Sequence, residues 1–171
     1  MTYSCEKVGL DFFDTAPTRH VASVEIRATP EQVFDVFLDG EAWTEWAMPI
    51  TDVEWTSPFP LEVGSTRTVT MRGDMVGYEE FIAYEHGTRM AFRFNEASKD
   101  NLKAFAEDYQ VTDLGNGRVR VDWVMAMDSG GEDSGGVRSK VMTPLMGVMV
   151  KWMLKKFGRL VESRAAGAQA S

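Results

Sequence analysis

Two glutamates and a tyrosine are the side chains in this 171-residue chain that best suit acid–base chemistry. Glu79 and Glu107 could donate and accept a proton if both faced one pocket. Tyr109 follows Glu107 on the same strand face and is a further proton donor. We name these three as catalytic candidates without assigning a role, because no nucleophile with a base and an orienting group accompanies them. Asp108 would take the place of Glu107 if the strand register were shifted by one residue.

Hairpin turns determine which strand residues share a face of the predicted sheet. A two-residue turn at His86-Gly87 would pair Glu85 with Thr88, and this places Phe81 opposite Phe92. Because alternate residues of a strand point the same way, the pairing predicts one inward-facing set. That set is Arg67, Val69, Met71, Glu79, Phe81, Ala83, Met90, Phe92, Phe94, Phe105, Glu107, Tyr109, Val111, Val119, Val121, Trp123, Met125 and Met127.

Three charged residues stand out in this otherwise apolar inward set. A three-residue turn at Gly73 places Arg67 opposite Glu79, and Glu107 lies on the same face. A buried charge is costly unless it is paired, so one arginine between two carboxylates would be a stable arrangement. In a pocket, these charged groups would be the polar contact for a ligand. A register error of one residue would turn all three outward. The polar contact for the ligand would then be one of the neighbouring residues Thr66, Thr68, Glu80 and Asp108.

The remaining reactive side chains do not suggest a metal or cofactor site. His20 begins a strand and His86 lies in a turn, so neither has a catalytic partner in sequence. Cys5 is the single cysteine, which excludes an intramolecular disulfide and predicts a reducing, cytoplasmic location. The glycine pairs are not followed by a phosphate-binding helix with a lysine, so no cofactor is expected. The residues from Met1 to Leu10 do not resemble a signal peptide.

Composition and charge narrow the classes of partner. A formal net charge of −8 argues against nucleic-acid binding, which requires a basic surface. Seven basic residues and one acid, Glu162, lie between Arg138 and Arg164. We interpret this segment as a solvated helix face with cations near its C-terminal end, and docking to an anionic membrane is the alternative. The longest charge-free apolar stretch, Val141 to Val150, is too short to span a bilayer.

The order of elements indicates a cup. A first strand, His20–Arg27, precedes a helix that starts at Thr29-Pro30-Glu31-Gln32 and a second short helix, Glu41–Ala47. A long amphipathic helix, from about Lys140 to Arg164, ends the domain. Such a sheet would curl around the terminal helix and enclose a space. The strands between are predicted at Thr51–Thr56, Ser65–Arg72, Met75–Glu85, Thr88–Asn95, Lys103–Leu114 and Arg118–Met127.

We expect one domain, residues 19–164, with an irregular lead-in at 1–18, a mobile hinge at 128–136 and a disordered tail at 165–171. The apolar stripe of the long helix comprises Met142, Leu145, Met146, Met149, Trp152, Met153, Phe157 and Leu160. The methionines suit a surface that accommodates varied apolar shapes. The predicted ligand-binding residues are Trp46, Arg67, Val69, Met71, Phe81, Phe92, Phe94, Phe105, Tyr109, Trp123, Met125, Met142, Met146, Met149 and Met153.

Four local strings resemble the SRPBCC superfamily of START-like, helix-grip proteins, and in particular its polyketide cyclase/dehydrase and lipid-transport branch. The resemblance implies an α+β fold in which a seven-stranded antiparallel sheet grips a long C-terminal helix, with two short helices after the first strand. It covers about Arg19 to Arg164 and transfers no invariant catalytic residue. The strings are Val24–Phe34, Trp43–Trp46, Val63–Val69 and Tyr84–Phe92.

Three functions are compatible with these observations. The first is a carrier or sequestering protein for a small hydrophobic or amphipathic molecule such as a lipid, a polyketide or an aromatic. The second is an enzyme of the cyclase/dehydratase kind, in which Arg67, Glu79 or Glu107 moves protons. The third is a stress-response or toxin-partner interaction module. The lack of a catalytic triad or metal motif favours the carrier, and the sequence leaves monomer and dimer equally open.

Overall fold

The computed structural model describes residues 1–131 and 137–169, with side chains for 1–131 and 144–168, and within these ranges it contains eight strands and four helices. The helices are α1 (Phe12–Thr15), α2 (Pro30–Leu38), α3 (Gly40–Trp46) and α4 (Val137–Gln169). The strands are β1 (Tyr3–Ser4), β2 (Thr18–Ile26), β3 (Ile50–Trp55), β4 (Thr66–Met71), β5 (Met75–Glu85), β6 (Arg89–Ala97), β7 (Ala104–Gly115) and β8 (Arg118–Asp128).

Seven strands form one antiparallel sheet in the order β2-β8-β7-β6-β5-β4-β3. All neighbours from β3 to β8 are consecutive in the chain, so they form a meander, and β2 pairs with β8 at the far edge. The long helix α4 packs mainly against β2 and also contacts α2 and α3. The sheet curled around a terminal helix confirms the predicted α+β helix-grip fold.

The two short helices are defined by their caps. The Thr29 side chain accepts a hydrogen bond from the Gln32 backbone N–H, and the Gln32 side chain accepts one from the Thr29 N–H. Asp39 caps α3 by accepting from the Glu41 N–H at 3.0 Å. Arg164 of α4 donates to Asp39 and Glu45, at 2.7 and 2.9 Å, which ties the end of the long helix to α3.

The lead-in, residues 1–18, was predicted to be irregular, but it contains two short elements, β1 and α1. Strand β1 pairs with the end of β6 beyond the part that β7 covers, with Tyr3 opposite Ala97. Helix α1 buries Phe12 and Phe13 on the outer face of the sheet. Alanines provide the room for these rings because small side chains leave a depression on the sheet surface. They are Ala91, Ala104, Ala106 and Ala126.

The turn between β4 and β5 was predicted correctly. Met71 pairs with Met75 across a three-residue turn, and Arg67 lies opposite Glu79. The two-residue turn predicted between β5 and β6 is wrong, since Glu85 pairs with Arg89 across three residues.

An irregularity between Phe81 and Ala83 compensates for the different turn. It restores Phe81 opposite Phe92, as predicted, but it turns Ala83 to the outer face and brings Tyr84 to the inner one. The inward prediction is therefore wrong for Ala83 alone in this part of β5.

Helix α4 is longer and is rotated relative to the predicted stripe. Leu145 and Trp152 are 60% and 49% exposed, so they do not face the sheet. The predicted disordered tail is wrong for residues 165–169, because α4 continues to Gln169 with Ala165 buried. Most of the predicted hinge, residues 132–136, lies outside the described residues. Among the described side chains of α4, the buried hydrophobic ones are Val150, Met153, Leu154, Phe157, Val161 and Ala165.

In the described part of the chain, no helix combines the length and the apolar character needed to cross a membrane. The lysines at 151, 155 and 156 are exposed, as expected for a solvated face. Lys156 Nζ lies 5.5 Å from the ring centre of the exposed Trp152.

Candidate functional site

A cavity of about 240 Å³ lies between the concave face of the sheet, α3 and the inner face of α4. Its walls are aromatic rings, methionines and aliphatic side chains, with two carboxyl groups and one phenol among them. The lining consists of Trp43, Trp46, Ala47, Pro49, Ile50, Val69, Met71, Met75, Glu79, Phe94, Leu102, Phe105, Glu107, Tyr109, Trp123, Met125, Met127, Met146, Met149 and Met153.

Eleven of the fifteen side chains predicted to bind a ligand line this cavity. Arg67, Phe81 and Phe92 do not, and the side chain of Met142 lies outside the described residues. The eleven are Trp46, Val69, Met71, Phe94, Phe105, Tyr109, Trp123, Met125, Met146, Met149 and Met153.

Arg67 is excluded from the cavity because aromatic rings enclose it. The residue is 1% exposed, and its guanidinium carbon lies 4.2 Å from the ring centre of Trp43 and 4.4 Å from that of Phe92. Trp55 and Phe81 are also within cation–π distance, at 5.3 and 5.6 Å. The π faces partly replace water around the cation.

The predicted polar cluster of Arg67, Glu79 and Glu107 exists and is buried. Arg67 Nε donates to Glu79 Oε2 in an ion pair whose side chains are 0% and 4% exposed. Within the described residues, the two terminal nitrogens of Arg67 have no hydrogen-bond partner. Burial raises the pKa of the Glu79 carboxyl, and the adjacent guanidinium opposes that rise. Since arginine does not deprotonate, Glu79 is the carboxylate that balances its charge.

Glu107 is the carboxyl group with the strongest tendency to hold a proton. It is 7% exposed, and the Tyr109 hydroxyl donates a hydrogen bond of 2.9 Å to its Oε2. Burial, reinforced by the negative charge of Glu79, raises the pKa of Glu107 to about 8. The indole N–H of Trp123 is near enough to lower this pKa slightly, but it does not reach hydrogen-bonding geometry.

Burial also raises the pKa of Tyr109 well above that of a free tyrosine, and the neighbouring Glu107 adds to the effect. At neutral pH the pair therefore presents a phenol and a carboxylic acid to the cavity. A protonated carboxyl that can ionise near pH 8 is able to donate or accept a proton.

The alternative candidates lie on the opposite face. Asp108 accepts two hydrogen bonds from Arg89, at 3.0 and 2.8 Å, on the outside of the sheet. Glu80 is likewise occupied, by Arg93 at 3.2 Å and Asn95 at 2.7 Å. The register that places Arg67, Glu79 and Glu107 inward is therefore confirmed.

The amino-acid sequence from residue 17 to residue 164 matches the model of a family described as "Polyketide cyclase / dehydrase and lipid transport". The chain belongs to this family. The match includes every strand of the curled sheet and the part of α4 that lines the cavity.

Similar proteins agree with this membership. An uncharacterised protein of Mycobacterium tuberculosis (strain ATCC 25618 / H37Rv) is 46% identical over 169 residues, which cover 99% of each chain. A START superfamily protein from Mycobacterium smegmatis shares the fold with a TM-score of 0.63 and 12% identity, covering 88% of this chain and 98% of that one. The aromatase/cyclase Zhui from Streptomyces sp. R1128 has a TM-score of 0.61 and 13% identity, covering 86% and 93%.

The cavity of this member of the family also includes residues that the sequence reasoning did not list as ligand-binding. Trp43 lies three residues before Trp46 on α3, and helical periodicity alone could have placed both on one face. Met127 continues the alternation of Met125 on β8. It belonged to the predicted inward set but was not among the predicted ligand-binding residues. The loop residue Leu102 had no periodic signal, and neither did Ala47, Pro49 and Ile50.

His86 has partners that its sequence position did not reveal. Its Nε2 lies 2.8 Å from Glu31 Oε2, and its Nδ1 lies 3.2 Å from the Tyr84 hydroxyl. This exposed network joins the start of α2 to the β5–β6 turn.

His20 is buried, and burial lowers its pKa. Among the described residues, no three His, Cys, Asp or Glu side chains form a group that could hold a metal ion.

Gly77 of β5 allows the Phe94 ring to lie directly over the backbone at the cavity wall. A Cβ atom at this position would lie 2.7 Å from Phe94 Cε2 and 2.9 Å from Cε1. We expect Gly77→Ala to lower the free energy of unfolding by about 1–3 kcal/mol, the usual effect of overpacking, since Phe94 also packs on Phe105 at 4.6 Å between ring centres. Chemical denaturation measures this change.

Gly167→Ala is the matched control, because a Cβ there meets nothing within 4 Å and α4 favours alanine over glycine. A Gly77→Ala protein as stable as its parent would contradict the close packing of Phe94.

Proposed function

We propose that this protein binds a small apolar or amphipathic molecule in its internal cavity and acts as a carrier or sequestering protein. The observation that carries the proposal is the lining itself, in which aromatic and methionine side chains surround two carboxyl groups and a phenol. Ligand pockets are typically apolar with a few polar groups that orient the bound molecule. The unbranched side chains of the methionines adapt to varied shapes. We place the binding unit in one domain, residues 19–164, acting in the cytoplasm.

The proposal is tested by filling the cavity from α4. Met149 lines the cavity, whereas Val148 beside it is 66% exposed on the outer face. We expect Met149→Trp to weaken binding of a hydrophobic dye and of its competitors at least tenfold, because the indole occupies ligand space. Val148→Trp should bind as the parent does. The measurement is a fluorescence titration with a displaceable dye, at matched tryptophan count.

Equal binding by both variants would show that the dye lies elsewhere and would overturn the proposal. Loss of binding in both would point to the surface of α4 instead of the cavity.

A second candidate function is proton-transfer catalysis on a polyketide-like ligand, as in a cyclase or dehydratase. The specific observation in its favour is the Glu107 carboxyl, whose pKa is about 8, hydrogen-bonded to Tyr109 at the cavity wall. The solved aromatase/cyclase with the same fold makes this chemistry relevant. Turnover of an enolisable aromatic ketone, measured as deuterium exchange of its α-protons, tests it. Exchange that persists unchanged in Glu107→Gln would remove this residue from the mechanism.

A further inference from the structure

The ionisable groups of the described residues that line the cavity are all acids. Among the described residues that line the cavity, the ionisable groups are the carboxyls of Glu79 and Glu107 and the phenol of Tyr109. No lysine or arginine lies among these lining residues. A ligand therefore meets acids, and not bases, at the polar end of the cavity.

The nearest cation cannot serve an anionic ligand. Arg67 is already paired with Glu79, and the faces of Trp43 and Phe92 cover its guanidinium at 4.2 and 4.4 Å. Its terminal nitrogens are buried, and Arg67 is not among the described residues that line the cavity. A carboxylate ligand would lose its water in an apolar cavity and would face two carboxyl groups without a counter-charge, which is unfavourable.

Glu107 retains the capacity to accept a hydrogen bond from a ligand. Its Oε2 receives the Tyr109 hydroxyl, and a carboxyl group has further lone pairs on both oxygens. Glu79 is held by Arg67, so it is less available. The groups that face Glu107 are Glu79, Arg67 and Tyr109, and the residues that α4 adds to the cavity wall are methionines.

Resting on the proposed function of the cavity, we propose that it selects an apolar ligand whose polar end is a non-anionic hydrogen-bond donor, a hydroxyl or an amine, and that the Glu107 carboxyl receives this donor. Long-chain and aromatic carboxylates are excluded. The polar end lies beside β7, and the apolar body extends toward the methionines of α4.

Three ligands with the same ten-carbon chain test this selection: decanol, decylamine and decanoate. We expect decanol and decylamine to bind the parent protein at least tenfold more tightly than decanoate at pH 7, measured by displacement of a hydrophobic dye. An aromatic series of 2-naphthol, 2-naphthylmethylamine and 2-naphthoate repeats the test with a rigid body. Decanoate binding as tightly as decanol, with Met149→Trp weakening all three, would overturn the selection and leave the carrier proposal intact.

Failure of the carrier proposal would give a different result, because then no ligand of either series would bind or Met149→Trp would change none of the affinities.

The variant Glu107→Gln tests whether this residue accepts the hydrogen bond of the ligand. It should reduce the preference over decanoate to within about threefold and weaken decylamine the most, because an ammonium loses its anionic partner. Unchanged preferences in a folded Glu107→Gln protein would overturn the assignment to Glu107. If this variant does not fold, the three-ligand comparison on the parent protein decides.

The number of protons released on binding distinguishes amine ligands from hydroxyl ligands. An alkylammonium pairs with ionised Glu107, so the proton of this carboxyl passes to the buffer when decylamine binds at pH 7. Decanol leaves the proton in place. Calorimetry in two buffers of different ionisation enthalpy should show proton release of more than half an equivalent for decylamine and close to none for decanol. Equal values for both would contradict contact with Glu107.

Discussion

Arg67→Met is expected to lower the free energy of unfolding by about 3–5 kcal/mol, the usual effect of breaking a buried ion pair from one side. Arg67 and Glu79 are 0% and 4% exposed in their side chains, so the variant leaves a buried carboxylate without a partner. Its pKa then rises further, because the guanidinium no longer opposes the effect of burial. Denaturant unfolding monitored by circular dichroism measures the change.

The pH dependence of the Arg67→Met deficit has a definite sign. A carboxyl whose folded pKa lies above its unfolded value stabilises the fold only while it is protonated. The deficit should therefore be smallest below about pH 4, near the ordinary pKa of glutamate. It should grow as the pH rises from the folded pKa of Glu79 in the parent to the higher folded pKa in the variant, and it should be constant above that.

Two controls isolate the ion pair. Arg118→Met removes an arginine whose pair with Glu25 is about half exposed, so it should change stability by no more than about 0.5 kcal/mol. The double variant Arg67→Met/Glu79→Leu should be more stable than Arg67→Met alone, since no charge is left buried. An Arg67→Met melting curve that overlays that of the parent would contradict the burial of this pair.

Glu107→Gln is expected to become more stable relative to the parent as the pH rises from about 4.5 to about 8. The folded pKa of Glu107 is about 8, and the unfolded value is about 4.3. Between these values the folded state binds more protons than the unfolded state, so this residue lowers the parent's stability as the pH rises. Glutamine keeps an acceptor for the Tyr109 hydroxyl and has no proton to lose.

The difference between Glu107→Gln and the parent should shift by roughly 3–5 kcal/mol across this range, given about 1.4 kcal/mol for each pKa unit, and should level off above pH 9. Thermal and denaturant unfolding at one-unit pH intervals measure it. Glu85→Gln removes an exposed carboxyl at the end of β5 and controls for the loss of one negative charge. A difference that does not vary with pH would show that Glu107 is ionised in the folded protein at all these values.

Much of the fold could be predicted from the sequence, because the features concerned depend on local interactions. The capping residues Thr29 and Gln32 define the start of α2 through hydrogen bonds that span three residues. The short turn at Gly73 sets the register of β4 and β5, which brings Arg67 opposite Glu79. Alternation along β8 then places Trp123 and Met125 inside.

Other features depend on contacts between distant segments. The irregularity near Ile82 in β5 has no sequence signature, yet it decides that Phe81 faces inward and Ala83 outward. Trp43 of α3 covers Arg67 and so removes it from the cavity, which follows only from where α3 packs on the sheet. The rotation of α4 that exposes Leu145 and Trp152 is set by its packing on β2, not by its own pattern.

The sequence by itself determined the order of the strands and helices from β2 to α4, the inward position of the three charged residues and the apolar character of the lining. Only the tertiary structure decided which of those charges reach the cavity and how tightly Glu107 holds its proton. The reason is physical: strand alternation and helix caps act within a few residues, whereas the desolvation that raises the pKa of Glu107 is produced jointly by β7, its neighbouring strands, α3 and α4.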